Sequence, residues 1–194
     1  MKAVLISIQP KWVEKIANGE KTIEVRKTAP KQVPFKCYIF CTKEKKQDDI
    51  IWAGVFGDRG KWNGRVIGEF VCDEVDKIIP LQHTYYNYIG LPIANITEYG
   101  IWNDDLAQMC LKKKEIDNYG KGKMLYGWHI SDLKIYDKPK ELSEFYTIDE
   151  SGNDCCIACV YHETPLEEMP CRTCTGERRY LYRPPQSYMY VEEL

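Results

Sequence analysis

The stretch GEKTIEVRK, residues 19 to 27, decides how the chain reads. Its alternation is that of a strand: Ile23 and Val25 point one way, Thr22, Glu24 and Arg26 the other, and Lys21 and Lys27 stand at the ends. One face is fit for a core. The other carries a polar quartet, Lys21, Thr22, Glu24 and Arg26, with two readings. A strand with one wet face ordinarily bears such residues as cross-strand ion pairs. Alternatively, side chains at i and i+2 project in one direction and converge on a small ligand, Lys21 and Arg26 meeting phosphate or a carbonyl oxygen, Glu24 accepting from an amine and Thr22 offering a hydroxyl.

The flanking sequence gives the stretch a setting. KAVLISI (2–8) has strand character, and Pro10 opens PKWVEKIAN, where Trp12, Val13, Ile16 and Ala17 recur at helical spacing. Gly19 suits the helix end, so the opening unit is predicted as strand, short helix, Gly turn, strand. Strands are also expected at CYIFCT (37–42), RVIGEFVCDEV (65–75), MLYGWHISDLKIY (124–136) and the closing SYMYVEEL, with a turn-rich patch at GDRGKWNGR. Ile101, Trp102, Leu106, Met109 and Cys110 predict a helix capped by Asn103 or Asp104.

A chain of 194 residues, 44% hydrophobic, can bury one full core with room for a small appended module. Its formal net charge of -2 provides no global basic field, so any contact with nucleic acid must be a local patch. No apolar run reaches membrane-span length and the first residues lack a signal-peptide pattern, so the expected address is cytoplasmic. No P-loop, G-x-G-x-x-G after a strand, G-x-S-x-G or H-E-x-x-H occurs. Of the three histidines, His129 is expected as a satisfied partner in a sheet. Trp128 has two readings, core packing or a platform on which a base stacks.

The order strand, P-x-W helix, GEKTIEVR strand and later RVIGEF strand resembles the ASCH domain of the PUA-like superfamily. Gly19, Lys21, Thr22, Glu24 and Arg26 meet the family's G-x-K-T-x-E-x-R core. The resemblance implies an α+β fold, a PUA-like small mixed β-barrel with flanking helices, and a cleft beside the polar strand face that holds RNA or a nucleotide. Ligand-binding residues would then be Lys21, Thr22, Glu24, Arg26 and Trp128. One branch of the family resembles an N4-acetylcytidine deacetylase whose strand reads K-T-x-T, the second Thr acting as nucleophile beside the Lys. Glu24 stands at that place here, and a carboxylate cannot replace a hydroxyl in that acyl intermediate. Were the protein a hydrolase of a modified nucleoside or RNA, Lys21 and Glu24 would be catalytic, Glu24 activating water and Lys21 stabilising the oxyanion.

Nine cysteines in a reducing compartment call for thiol or metal chemistry. Cys37, Cys41, Cys72 and Cys110 lie in apolar segments and read as small buried hydrophobes. Cys156, Cys159, Cys171 and Cys174 form C-x2-C, eleven residues, C-x2-C, a spacing that lets four thiolates close on one structural Zn2+. Gly176 suits the sharp backbone of such a knuckle, and a segment so poor in large apolar residues needs the ion to order. Cys155 is an alternative to Cys156, and a redox dithiol is the competing reading. The chain therefore divides into a barrel (1–149), a zinc-knuckle insert (150–180) and a C-terminal strand returning to the barrel (181–194).

Arg172, Arg178, Arg179 and Arg183 interleave with Tyr180 and Tyr182, and KKKEIDNYGKGK adds lysines. Such clusters either follow a nucleic-acid backbone or are solvated faces. Three functions stand: binding of RNA or a nucleotide, hydrolysis through Lys21 and Glu24, and capture of a protein partner by a zinc-dependent adapter surface.

Overall fold

The computed structural model describes residues 2–43, 62–80, 101, 103–147, 181 and 183–194. Described elements in chain order are β1 (Lys2–Ile8), α1 (Pro10–Ala17), β2 (Ile23–Arg26), β3 (Phe35–Cys41), β4 (Val66–Cys72), β5 (Val75–Ile78), α2 (Asn103–Met109), α3 (Lys113–Gly120), β6 (Leu125–His129), β7 (Ser131–Lys140), a single 3-10 turn (Leu142–Glu144) and β8 (Tyr188–Glu192). The class is α+β. Among the described residues the strands form two sheets, β7-β4-β3-β1-β8 and β2-β6-β5, and the described pairings do not join them into a closed barrel. The proposed zinc insert and its ligands lie outside the described residues.

The chain divides into two compact units, one comprising residues 1–13, 35–70 and 134–194, the other 14–34 and 71–133. In the first, β1 is buried from Ala3 to Ile8. That run suits a central strand covered on both faces. It pairs in parallel with β3, Val4 opposite Cys37 through Ile8 opposite Cys41, and antiparallel with β8, Lys2 opposite Glu192 through Ile6 opposite Tyr188. β8 thus lies beside the first strand. Ala3, Leu5, Tyr38, Phe40, Val66, Phe145 and Val191 form the core, with the Tyr38 and Phe145 rings edge to face at 5.0 Å. Gly68 is required in β4, because a Cβ there would lie 2.4 Å from the Lys134 carbonyl oxygen of β7.

In the second unit β6 pairs antiparallel with both β2 and β5. Ile23, Val25, Ile78 and Leu125 pack with Ile101, Met109 and Ile116. One face of this small sheet is therefore covered by α2 and α3, as the alternation of GEKTIEVRK predicts for Ile23 and Val25.

Three expectations need correction. The segment 124–136 is two strands, not one: β6 belongs to the three-stranded sheet and β7 to the five-stranded sheet, with Ile130 between them and Asp132 at φ 47. The segment 65–75 likewise divides, β4 ending at Cys72 and β5 starting at Val75. The helix expected around Leu106 is present as α2, and the third correction concerns Cys110, which adopts φ 53 and ends that helix before α3 begins. A left-handed residue cannot continue a right-handed helix. Cys110 is accordingly half-buried, its thiol 3.3 Å from the Glu20 carbonyl oxygen, whereas Cys37, Cys41 and Cys72 are buried as expected.

Candidate ligand-binding site

The site begins with the turn that ends α1. Gly19 takes φ +73 and donates its N–H to Ile16 O at 2.9 Å, and the amides of Glu20 and Lys21 both donate to Lys15 O. These bonds satisfy carbonyls that a helix end leaves open. They also fold the chain back, so that β2 starts only at Ile23 and the period-two alternation does not reach Lys21 and Thr22. Lys21 arrives beside Glu24 by the turn, not by strand alternation.

Lys21 is 2% exposed. Its ammonium donates to Ile23 O at 2.8 Å and to Met109 O at 2.7 Å, and lies 3.3 Å from Glu24 Oε2. Met109 is the last residue of α2, where carbonyls lack helical partners and the helix dipole favours a cation. Two of the three ammonium protons are thus committed to backbone, and Lys21 ties the entry of β2 to the end of α2. Thr22 is held to the same helix: its amide donates to Gln108 O at 2.9 Å and its hydroxyl to Gln108 Oε1 at 3.3 Å.

Register decides the rest. Glu24 stands opposite Trp128 and Arg26 opposite Tyr126, so these four share the sheet face turned from Ile23 and Val25. Val75, paired with Trp128, and Lys77, paired with Tyr126, extend that face onto β5. Glu24 is 6% exposed, Arg26 8% and Trp128 0%. The quartet's two strand members are therefore not on a wet face. Arg26 Nε lies 3.1 Å from Glu24 Oε1, so the one carboxylate is contacted by two cations, one at each oxygen. Glu24 Oε2 has ion-pair distance to Lys21 but no hydrogen bond of good geometry.

His129 pairs with Ile23 and so belongs to the helix-covered face, its Nε2 2.7 Å from Asp76 Oδ2. The expectation of a partnered sheet histidine holds. Trp128 is fully buried, as core packing requires. Sequence reasoning missed Tyr126 and Tyr119. Tyr126 was legible by counting two residues back from Trp128. Tyr119, on α3, is 38% exposed, with the Lys27 ammonium 4.8 Å from its ring centroid. Burial raises the pKa of its phenol, the Arg26 charge lowers it and the Glu24 charge raises it. In KKKEIDNYG the only signal for it was its place three residues after Ile116, beside the helix's buried face.

Cys156, Cys159, Cys171 and Cys174, the alternative Cys155, and Arg172, Arg178 and Arg179 lie outside the described residues. Among the described residues no group of three or more His, Cys, Asp or Glu side chains is placed to hold a metal ion. No helix among them is long and apolar enough to cross a membrane.

No family model matches the chain. No curated protein matches it either. Among solved structures it is similar to the crystal structure of ASCH from Zymomonas mobilis, at 15% identity and a TM-score of 0.49, over 98% of this chain and 88% of that one. A serine-to-alanine mutant of that protein gives 14% identity and 0.49, over 98% and 89% of the two chains. A tyrosine-to-phenylalanine mutant gives 17% identity and 0.42, over 73% and 77%.

Proposed function

We propose that this is an RNA- or nucleotide-binding protein of the ASCH kind, on a PUA-like barrel, which holds its ligand beside the strand within residues 19–27. The observation that carries the reading is the ionic character of a buried sheet face: Glu24 and Arg26 lie beside Lys21 and opposite Trp128 and Tyr126. Burying ionised groups carries a desolvation penalty of several kcal/mol per ion, and well-packed apolar residues of similar volume are often as stable or more so. A cluster that packing alone would not select fits a recognition role. Its parts match a nucleotide: Arg26 is a planar fork for phosphate or a base carbonyl, Glu24 an acceptor for an exocyclic amine, and aromatic rings border them.

Within this reading the residues have unequal tasks. Arg26 and Glu24 contact the ligand. Lys21, committed to the carbonyls of Ile23 and Met109, holds the Glu24 carboxylate in position. Thr22, tied to Gln108, fixes the entry of the strand. The reading also includes a cytoplasmic address and a structural Zn2+ on Cys156, Cys159, Cys171 and Cys174, supported by their paired spacing. Thiolate ligands would make that metal tight and its loss acid-dependent.

Fluorescence anisotropy with a labelled single-stranded RNA, at two salt concentrations, tests the function. Arg26→Ala is expected to weaken binding about tenfold or more, the worth of a hydrogen-bonded charge. Wild-type affinity in that variant, with an unchanged circular dichroism spectrum, would show that the ligand sits elsewhere. Metal analysis of the purified protein tests the zinc: one equivalent is expected, and none in Cys171→Ser with Cys174→Ser.

A further inference from the structure

Next to Lys27, just past the end of β2, lies an aromatic ring that is already open to solvent, and it is not Trp128. A ring with 0% exposure, as Trp128 has, presents no face to an incoming base. Tyr119 differs in each respect that stacking needs. It is 38% exposed, and it is carried on α3, whose Ile116 is anchored in the apolar core. Its ring lies beside Lys27, the residue directly after Arg26 at the end of β2, with the ammonium 4.8 Å from the ring centroid.

We infer that Tyr119 and Lys27 form the outer half of the ligand site, Tyr119 stacking on a base and Lys27 pairing with the attached phosphate, so that the site takes a nucleoside monophosphate unit, free or within an RNA strand. This rests on the binding function proposed above. The chemistry follows from placement. An exposed Tyr ring on a rigid helix gives a stacking surface at low conformational cost, and every base offers a π-face to it. The Lys27 ammonium is exposed on a flexible stem, so it can leave the Tyr119 ring for a phosphate without breaking a buried bond. Its attraction to the exposed ring is itself modest.

Titration calorimetry with the four ribonucleoside 5′-monophosphates and the four unphosphorylated nucleosides, together with anisotropy on a labelled single-stranded RNA, tests this. Tyr119→Leu, which keeps volume but removes the π-face, should bind monophosphates and RNA about 5- to 150-fold more weakly, the range that base stacking is worth. Tyr119→Phe should lose less than Tyr119→Leu. Lys27→Gln should weaken the monophosphates, leave the nucleosides at wild-type affinity and flatten the salt dependence of RNA binding by about one phosphate. Tight monophosphates with weak RNA would mark the free nucleotide as the source, and the reverse an RNA strand. If Tyr119→Leu and Lys27→Gln bind as the wild type does while Arg26→Ala does not, this inference falls and the binding function stands. If the wild type binds none of these probes, both fall.

Discussion

Two charged clusters, one in each compact unit, use the same residue types and do different things. In the three-stranded sheet, Lys21, Glu24 and Arg26 have side chains 2%, 8% and 9% exposed. In the five-stranded sheet, Lys36 lies 3.0 Å from Glu193 and 3.8 Å from Glu69, and Glu69 accepts a hydrogen bond from the Tyr136 hydroxyl at 2.6 Å. There the Lys36 side chain is 29% exposed and that of Glu69 21%. Water screens the second cluster and replaces a lost partner. The first has no such reserve, because a charge left behind there is stranded away from solvent. Burial, more than the count of ion pairs, separates a cluster that the fold depends on from one that decorates it.

Removing the central carboxylate breaks this contrast most directly. Glu24→Gln keeps the shape and leaves Lys21 and Arg26 without their shared anion, and the expected loss of unfolding free energy is about 3–5 kcal/mol. Urea denaturation reads it, and a loss under about 1 kcal/mol would place the cluster with the screened one. Lys21→Met comes next. It frees the carbonyls of Ile23 and Met109, and the expected loss of about 1.5–3 kcal/mol reflects hydrogen bonds from a charged donor. Hydrogen exchange should then rise at the junction of α2 and β2. Unchanged exchange there would mean that the tie is not what holds the two together.

Much of this arrangement was legible in the sequence, and the parts that were not share a cause. The alternation of Ile23 and Val25 against Glu24 and Arg26 placed both faces of β2 correctly, and Pro10 and Gly19 bracketed α1. Local pattern could not say that the polar face is buried, because burial depends on what the rest of the chain brings to it. Nor could it reveal Lys21 as a tie to Met109, a contact between residues 88 positions apart. The split of 124–136 into β6 and β7 was hidden for a similar reason: composition stays strand-like across Ile130 while the chain passes from one sheet to the other. Among candidate site residues, Lys21, Glu24, Arg26 and Trp128 do gather, and Thr22 is drawn to Gln108 because β2 starts one residue later than the alternation requires.

The screened cluster predicts smaller effects of a different kind. Lys36→Met should cost below about 1 kcal/mol at neutral pH and less in high salt. A salt-independent loss of several kcal/mol would erase the distinction between the clusters.

The smallest effect is visible only in alkali. Burial raises the Tyr136 phenol pKa, and its hydrogen bond to the Glu69 carboxylate raises it further. Burial likewise raises that of Tyr38, against the lowering effect of the Leu194 amide. The hydrogen bond to Glu193 raises that of Lys36, with burial opposing. In the unfolded chain these groups titrate near about 10 for Tyr and about 10.4 for Lys. Below that range both states hold the protons, and the stabilisation is fully present. Above it the unfolded chain releases protons that the folded chain keeps, so stability falls as pH rises toward the folded values. The fall should be shallower in Tyr136→Phe and in Lys36→Met, each of which removes one such group. Urea midpoints measured at several pH values above about 10 decide it. Slopes equal to the wild type's in both variants would mean that the alkaline loss arises outside this cluster.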